Sequence, residues 1–325
     1  MNTDLRIALR NCIDTGAALE AAMALELLNC PVAEVPEILA AANAVRLRNF
    51  GHTVKLCSIV NGKSGRCGED CRFCAQSAHY HGAAQVYPFL SEEKLLEAYD
   101  EATQVPIRNF SVVTSGGALD EAGLAQLRAV MAKRPNGQVR WCASLGCLDR
   151  QQLEELRRGG LTRYHHNLET SRSFYPQVCT THDYQIRVDT VKAAKAVGLE
   201  VCSGGIFGLG ESLAQRVEMA LELAYLQVDE IPLNFLIPIP GTPLEKQPPM
   251  PPMEILKTIA MFRLTNPWAG VRICAGRVHM NHLQSMIFAA GCNSMMIGAL
   301  LTTAGGKVED DMQMLRDLDL EILQG

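Results

Sequence analysis

Two periods alternate along the chain. From Thr53 onward, short runs rich in β-branched and aromatic residues give way to longer stretches whose apolar positions recur every three to four residues. The short runs predict strands at Thr53–Val60, Phe110–Thr114, Val139–Ser144, Thr162–Asn167, Leu199–Gly204, Ile231–Ile237, Val271–Cys274 and Asn293–Ile297. The longer stretches predict helices at Glu92–Gln104, Asp120–Lys133, Arg150–Arg158, Tyr184–Val197, Leu213–Tyr225, Met253–Thr265, Asn281–Ala290 and Glu309–Leu323. Ser91, Asp149, Asp183 and Ser212 stand at starts where a short polar side chain can accept from the first free amides. Eight strand–helix units in series predict an α/β protein built as a (βα)8 TIM-type barrel, with an open doubly wound sheet as the alternative.

Ahead of the first strand, Ala/Leu-rich sequence predicts helices over Gly16–Leu28 and Val35–Asn49, interrupted at Pro31 and Pro36. The division expected is a helical cap over residues 1–50 and a barrel over residues 51–325. Pro248–Pro252 makes one stiff connector, and no internal repeat is visible.

Composition narrows the partners. A chain of 325 residues, 48% hydrophobic and 20% charged, suits one large core. Its net charge of -5 disfavours nucleic acid and anionic membranes, so a small-molecule partner is expected. The N-terminus lacks the basic start and apolar core of a secretory signal, and no apolar run is long enough to span a bilayer, so a cytoplasmic location is expected. Twelve cysteines in such a compartment point to metal or cluster chemistry rather than disulfides.

Three of those cysteines share the loop after the first strand, Cys67-Gly68-Glu69-Asp70-Cys71-Arg72-Phe73-Cys74. Thiolates this close can wrap a cuboidal iron-sulfur cluster, and three ligands leave one iron open to another molecule. A structural zinc site usually closes with four ligands, and charged residues between the cysteines do not suit a buried core.

The spacing C-x3-C-x2-C, with the aromatic Phe73 before the last cysteine, resembles the radical-SAM signature. Five blocks, in order and spacing, are similar to the biotin synthase family: Cys71–Ser77, Tyr164–Ser171, Val201–Glu211, Pro240–Leu244 and Val271–Arg277. The resemblance implies that Cys67, Cys71 and Cys74 hold a 4Fe-4S cluster whose open iron chelates S-adenosylmethionine. Cleavage of that cofactor yields a 5'-deoxyadenosyl radical that takes hydrogen from dethiobiotin before sulfur insertion. Phe73, Asn167 and Glu169 are expected at the S-adenosylmethionine site. The last two, spaced by two at the end of the fourth strand, would face one side of the barrel. His165 and Asn234 are expected at the substrate, Asn234 because a buried amide needs partners that a ureido ring supplies. The glycines at 204, 205, 208 and 210 are read as allowing close backbone approach.

In this family an auxiliary cluster, held by three cysteines and an arginine, donates the sulfur. Cys142, Cys202 and Arg272 match that set, while Ser111 occupies the remaining cysteine position and is a poor donor to sulfide-bridged iron. An auxiliary iron-sulfur cluster, 2Fe-2S or of altered type, is therefore expected on Cys142, Cys202 and Arg272 with Cys57 or Cys274 assisting. Cys12, Cys30, Cys147, Cys179 and Cys292 are read as structural. The resemblance further implies a flavodoxin- or ferredoxin-type electron donor and a homodimer. Alternative readings are a related radical-SAM enzyme of the hydrogenase-cofactor maturase type and a metal-stabilised binding protein without turnover.

Overall fold

The computed structural model describes residues 1–298, 301 and 306–323. Nine strands, β1 (Thr53–Lys63), β2 (Asn109–Thr114), β3 (Arg140–Ser144), β4 (Arg163–His165), β5 (Glu200–Cys202), β6 (Gly205–Phe207), β7 (Glu230–Phe235), β8 (Gly270–Ile273) and β9 (Ser294–Met296), pair in parallel, and β9 returns to β1. The result is a closed barrel of eight staves, because β5 and β6 together fill one. The break between them falls at Gly204, where a Cβ would meet the Pro232 carbonyl oxygen at 2.0 Å. That is the close backbone approach the glycine pair suggested. A tenth strand, β10 (Glu321–Ile322), pairs with Thr53 and Val54 at the start of β1.

Helices α1 (Thr3–Thr15), α2 (Ala21–Asn29) and α3 (Val35–Phe50) precede the barrel. Between the strands run α4 (Glu92–Ala102), α5 (Glu121–Lys133), α6 (Arg150–Arg158), α7 (Tyr184–Ala196), α8 (Leu213–Tyr225), α9 (Pro252–Thr265) and α10 (Met286–Ala289), and α11 (Val308–Asp317) follows β9. Capping boxes, Asp149 with Gln152 and Ser212 with Gln215, start α6 and α8 where the sequence placed them. The leading helices lie on the barrel layer, with α3 against α9 and α2 against α8 and α9. Among the described residues, no helix is long and apolar enough to cross a membrane.

Three expected helices differ. Gly16 does not open a helix; at φ 78° it closes α1, which starts at the Asn2 cap, and the next helix begins at Ala21. In place of a helix over 281–290, a 3-10 turn at Arg277–Leu283 kinks at Asn281 (φ 47°) before the short α10. The last helix stops at Asp317, and Asp319 at φ 51° turns the chain into β10.

The strands are apolar outward and polar inward. Leu56, Phe110, Trp141, Tyr164, Val201, Ile231, Val271 and Met295 are fully buried under the helices, and their strand neighbours turn inward. Around the barrel Cys57 pairs with Asn109, Ser111 with Cys142, Cys142 with Arg163, His165 with Cys202, Cys202 with Glu230 and Pro232 with Arg272. Arg272 pairs with Ser294, and Ser294 with Lys55, one turn of the pleat below Cys57. In tilted strands, side chains at one height come from every second strand.

The interior thus stacks in layers. Lys55, Arg140, Glu200 and Gly270 lie at the closed end, followed by Asn109, Arg163, Glu230 and Ser294. Next come Cys57, Cys142, Cys202 and Arg272, then Ser111, His165, Pro232 and Met296. Ile59, Ser144, Gly204 and Cys274 lie nearest the mouth. Contacts between adjacent layers agree: Asn109 Nδ2 donates to Cys57 Sγ at 3.4 Å, and Arg272 Nη2 comes within 3.4 Å of His165 Nδ1.

Candidate active site

The first strand delivers its chain straight into the cysteine loop, which is built as a self-supporting turn. Cys67 is tied through its amide to the Gln76 carbonyl (2.9 Å) and through its carbonyl to the Ala78 amide (2.8 Å), while the Cys74 amide donates to the Cys71 carbonyl (2.9 Å). Asp70 accepts from the Thr180 and Thr181 amides at 2.8 and 3.2 Å and fastens the loop to the segment before α7. Hydrogen bonds from Thr180 outweigh burial and hold the Asp70 carboxyl well below its ordinary range.

Cys67, Cys71 and Cys74 open into a cavity of about 570 Å³ at the barrel mouth. Every other candidate of the radical site, Phe73, Asn167 and Glu169, lines the same cavity, as do His165, Asn234, Arg272 and Cys274. Cys57, Cys142 and Cys202 lie deeper, buried in the layer described above. The volume is in the range of small-molecule sites.

Two arguments from the sequence need correction although the residues stand in the cavity. Strand β4 ends at His165, so Asn167 and Glu169 do not share a face through strand alternation. Instead Glu169 has φ 70° and bridges Gly205, which brings its Oε2 within 3.5 Å of Asn167 Nδ2. Tertiary bonding ends the strand, since the Leu168 and Glu169 amides both donate to the Gly204 carbonyl. Asn234, for its part, needs no ligand to satisfy its amide: Nδ2 donates to the Gly205 carbonyl and Oδ1 accepts from the Ala275 amide, both at 3.1 Å.

The Glu169 turn rests on Gly205, where a Cβ would lie 2.3 Å from the Glu169 carbonyl oxygen. Gly205→Ala is expected to push this segment out and cost about 2 kcal/mol, lowering the melting temperature by roughly 3–6 °C. A thermal melt indistinguishable from wild type would show that the segment yields freely.

A polar chain missed by sequence reasoning runs behind these residues. Glu169 Oε1 lies 3.4 Å from Arg187 Nη1, and Arg187 Nε donates to Tyr175 Oη at 2.8 Å. Tyr175 Oη meets His182 Nε2 at 2.8 Å, and His182 Nδ1 meets Glu69 Oε2, inside the cysteine loop, at 2.7 Å. Burial pushes the Glu169 carboxyl up, with Arg187 pulling against it. Two cysteines read as structural also belong here. Cys147 lines the cavity with Sγ 3.8 Å from His166 Nε2, and Cys179 groups with Glu69 and His182. A hydrogen bond with Cys71 pulls the Cys179 thiol down to about 4. Cys12, Cys30 and Cys292 are buried among core side chains.

Around the thiol layer, Arg272 is buried with Nη2 2.7 Å from Cys202 Sγ. Its Nε and Nη1, together with Ser111 Oγ and His165 Nε2, are buried without a hydrogen-bond partner among the described residues. Burial, with Arg272 and Arg163 alongside, pushes the His165 imidazole well below its ordinary range, so it stands neutral. Burial pushes Cys142 up to about 12 and Cys274 to about 11 as lone thiols, with Arg272 pulling both down.

Comparison with known proteins agrees with the geometry. Residues 63–223 match the Radical SAM superfamily, and residues 232–321 match the Biotin and Thiamin Synthesis associated domain. The chain is 50% identical to the biotin synthase of Maridesulfovibrio salexigens over 323 residues, 99% of each chain. It is 49% identical to that of Pelotomaculum thermopropionicum over 290 residues, 88% of this chain and 90% of the relative. Among solved structures, methylornithine synthase (PylB) superposes with a TM-score of 0.84 at 17% identity, covering 97% of both chains. HydG, a maturase of the [FeFe]-hydrogenase, superposes with a TM-score of 0.84 at 14% identity, covering 99% of this chain and 76% of its own. The last two show a shared fold.

Proposed function

The chain belongs to the biotin synthase family, and on that premise we propose how its barrel divides the work between a radical site at the mouth and a sulfur site below. The activity is the family's radical-SAM sulfur insertion, which turns dethiobiotin into biotin. Likeness to the hydrogenase maturase is one of fold, and near-full-length identity to biotin synthases decides against the maturase and the binding-protein readings.

Cys67, Cys71 and Cys74 would hold the 4Fe-4S cluster: three soft donors on one rigid loop, facing one cavity, leave a coordination position for the cofactor. When bound, that cluster and S-adenosylmethionine supply the hydrogen-abstracting radical, and the auxiliary cluster supplies sulfur. Phe73 would pack the cofactor's flank. Asn167 and Glu169 would take its polar groups, Glu169 accepting from ribose hydroxyls. Arg187 steadies Glu169 from behind, and the Arg187–Tyr175–His182–Glu69 chain ties that carboxylate to the cysteine loop. Neutral His165 and the backbone-anchored Asn234 line the space between the two sites, where dethiobiotin would lie.

The auxiliary cluster would rest on Cys57, Cys142, Cys202 and Arg272. The single observation carrying this reading is their common height: three thiols and a guanidinium from alternate strands. Unpartnered Arg272 Nε and Nη1 in a buried layer fit an anionic, sulfur-rich group. Cys274 stands toward the mouth and would assist from there. Ser111 lies in the next layer up and is not needed as a ligand, which removes the difficulty of a serine donor.

The chain would take electrons from a flavodoxin- or ferredoxin-type protein, work as a homodimer and reside in the cytoplasm. The test is anaerobic reconstitution followed by reductant, S-adenosylmethionine and dethiobiotin, with products read by mass spectrometry. Both 5'-deoxyadenosine and biotin are expected. Deoxyadenosine without biotin would remove the substrate assignment, and no cleavage by a cluster-loaded preparation would remove the radical chemistry.

A further inference from the structure

An ordinary (βα)8 barrel fills its interior with branched apolar side chains. Beneath the thiol layer, this barrel instead carries charge. Glu230, wholly buried, pairs with Arg163 through a short contact and with Lys55 Nζ at 3.3 Å. Arg163 reaches Glu200 at 2.7 Å, and Arg140 meets the same carboxylate at 2.7 Å. Gly270 leaves the room this needs, because a Cβ there would sit 3.1 Å from Glu230 Cγ and 3.2 Å from Lys55 Nζ.

The ion network is not closed on itself. Arg272 Nε lies 4.0 Å from Glu230 Oε1, while its Nη2 reaches across to Cys202 Sγ at 2.7 Å. Beneath the thiol layer three cations (Lys55, Arg140, Arg163) face two carboxylates (Glu200, Glu230), and Arg272, level with the thiols, adds a further buried positive charge. Lys55, Arg140 and Glu200 reach solvent at the closed end, whereas Arg163, Arg272 and Glu230 are buried, two cations to one carboxylate; buried charge without a counter-charge costs several kcal/mol, so this excess suits a negative group at the thiol layer.

We propose that Glu230 and Arg163 are positioning residues for the auxiliary cluster: Glu230 steadies Arg272 against Cys202, and Arg163 sets a second positive charge beneath Cys142 and Cys202. The proposal rests on the thiol layer holding that cluster. Neither residue touches substrate or the reacting atoms; they act through the charge and orientation presented to the sulfur donor. Net charge and hydrogen bonds at the sulfurs set the potential of such clusters, so the two residues carry opposite signs of effect.

The experiment compares wild type, Glu230→Gln, Arg163→Met and the double variant after anaerobic reconstitution. Iron and sulfide per chain are measured first, then the midpoint potential of the non-SAM cluster by redox titration. Glu230→Gln removes an anion and is expected to raise that potential, Arg163→Met to lower it, and the double variant to return near wild type. A general structural disturbance would not produce opposite signs. Shifts in one direction, or no shift in variants that load wild-type iron, would overturn the proposal. If Glu230→Gln alone fails to load, the double variant, which restores the charge balance, is expected to load, and its failure to do so also overturns it. A wild-type chain that loads only the iron of the radical site removes the thiol-layer reading instead, an outcome told apart before any variant is titrated.

Discussion

Cys71→Ala is expected to abolish production of 5'-deoxyadenosine, by about 10³-fold or more, because the rate enhancement of such chemistry resides in the bound cofactor. Cys71 would be the middle ligand of the proposed three-ligand loop, and two thiolates with no third donor cannot hold a cuboidal cluster that keeps an open iron. The fold should survive, since the loop is held by backbone bonds at Cys67 and Cys74 and by Asp70 against Thr180. Loss of this one buried sulfur costs about 1 kcal/mol. Iron analysis, deoxyadenosine assay and a melt of the apo-protein read the three effects separately. A variant that still cleaves S-adenosylmethionine at the wild-type rate would place the radical cluster elsewhere.

The second large effect separates the two chemistries. Cys57→Ala is expected to lose the non-SAM iron and lower biotin formation by more than about 100-fold, judged against the 10–100-fold that loss of even an outer partner of a metal site costs. Deoxyadenosine should still form, uncoupled from product, because Cys57 lies well below the radical site. Cys142→Ala should behave alike. Ser111→Ala should keep its non-SAM iron and stay within about twofold of wild-type biotin formation, because its hydroxyl lies a layer nearer the mouth. Loss of that iron in Ser111→Ala with retention in Cys57→Ala would invert the assignment and discard the layer argument.

What could be seen in the sequence was whatever local spacing encodes. The triad is confined to eight residues, so its chemistry shows without a fold, and alternation of two periods suffices for eight strand–helix units. Family resemblance put Cys142, Cys202 and Arg272 at the auxiliary cluster, and strand alternation put Cys274 on the same face as Arg272. It could not put Cys57 level with them, because height depends on register summed around a closed barrel rather than on parity within one strand. The chain from Glu169 to Glu69 was hidden for a related reason: His182 and Glu69 stand 113 residues apart and meet only after closure. The parity argument for Asn167 and Glu169 failed because Gly204 captures the backbone there and ends β4 early. Cys147 and Cys179 carry no local signal beyond being cysteines. For Cys147, position on the loop leaving the mouth end of β3 was the available clue.

The first strand of the barrel is also its last to be flanked. Lying between β2 and β9, with β10 clipped to its base, β1 has no second neighbour until almost the whole chain has left the ribosome. The cysteine loop comes off the ribosome early and has its three cysteines within eight residues, whereas Cys57 cannot stand level with Arg272 until closure is complete. A cluster held by the thiol layer, as proposed, would therefore enter only a finished barrel, after the three cysteines proposed for the radical site already stand on one loop.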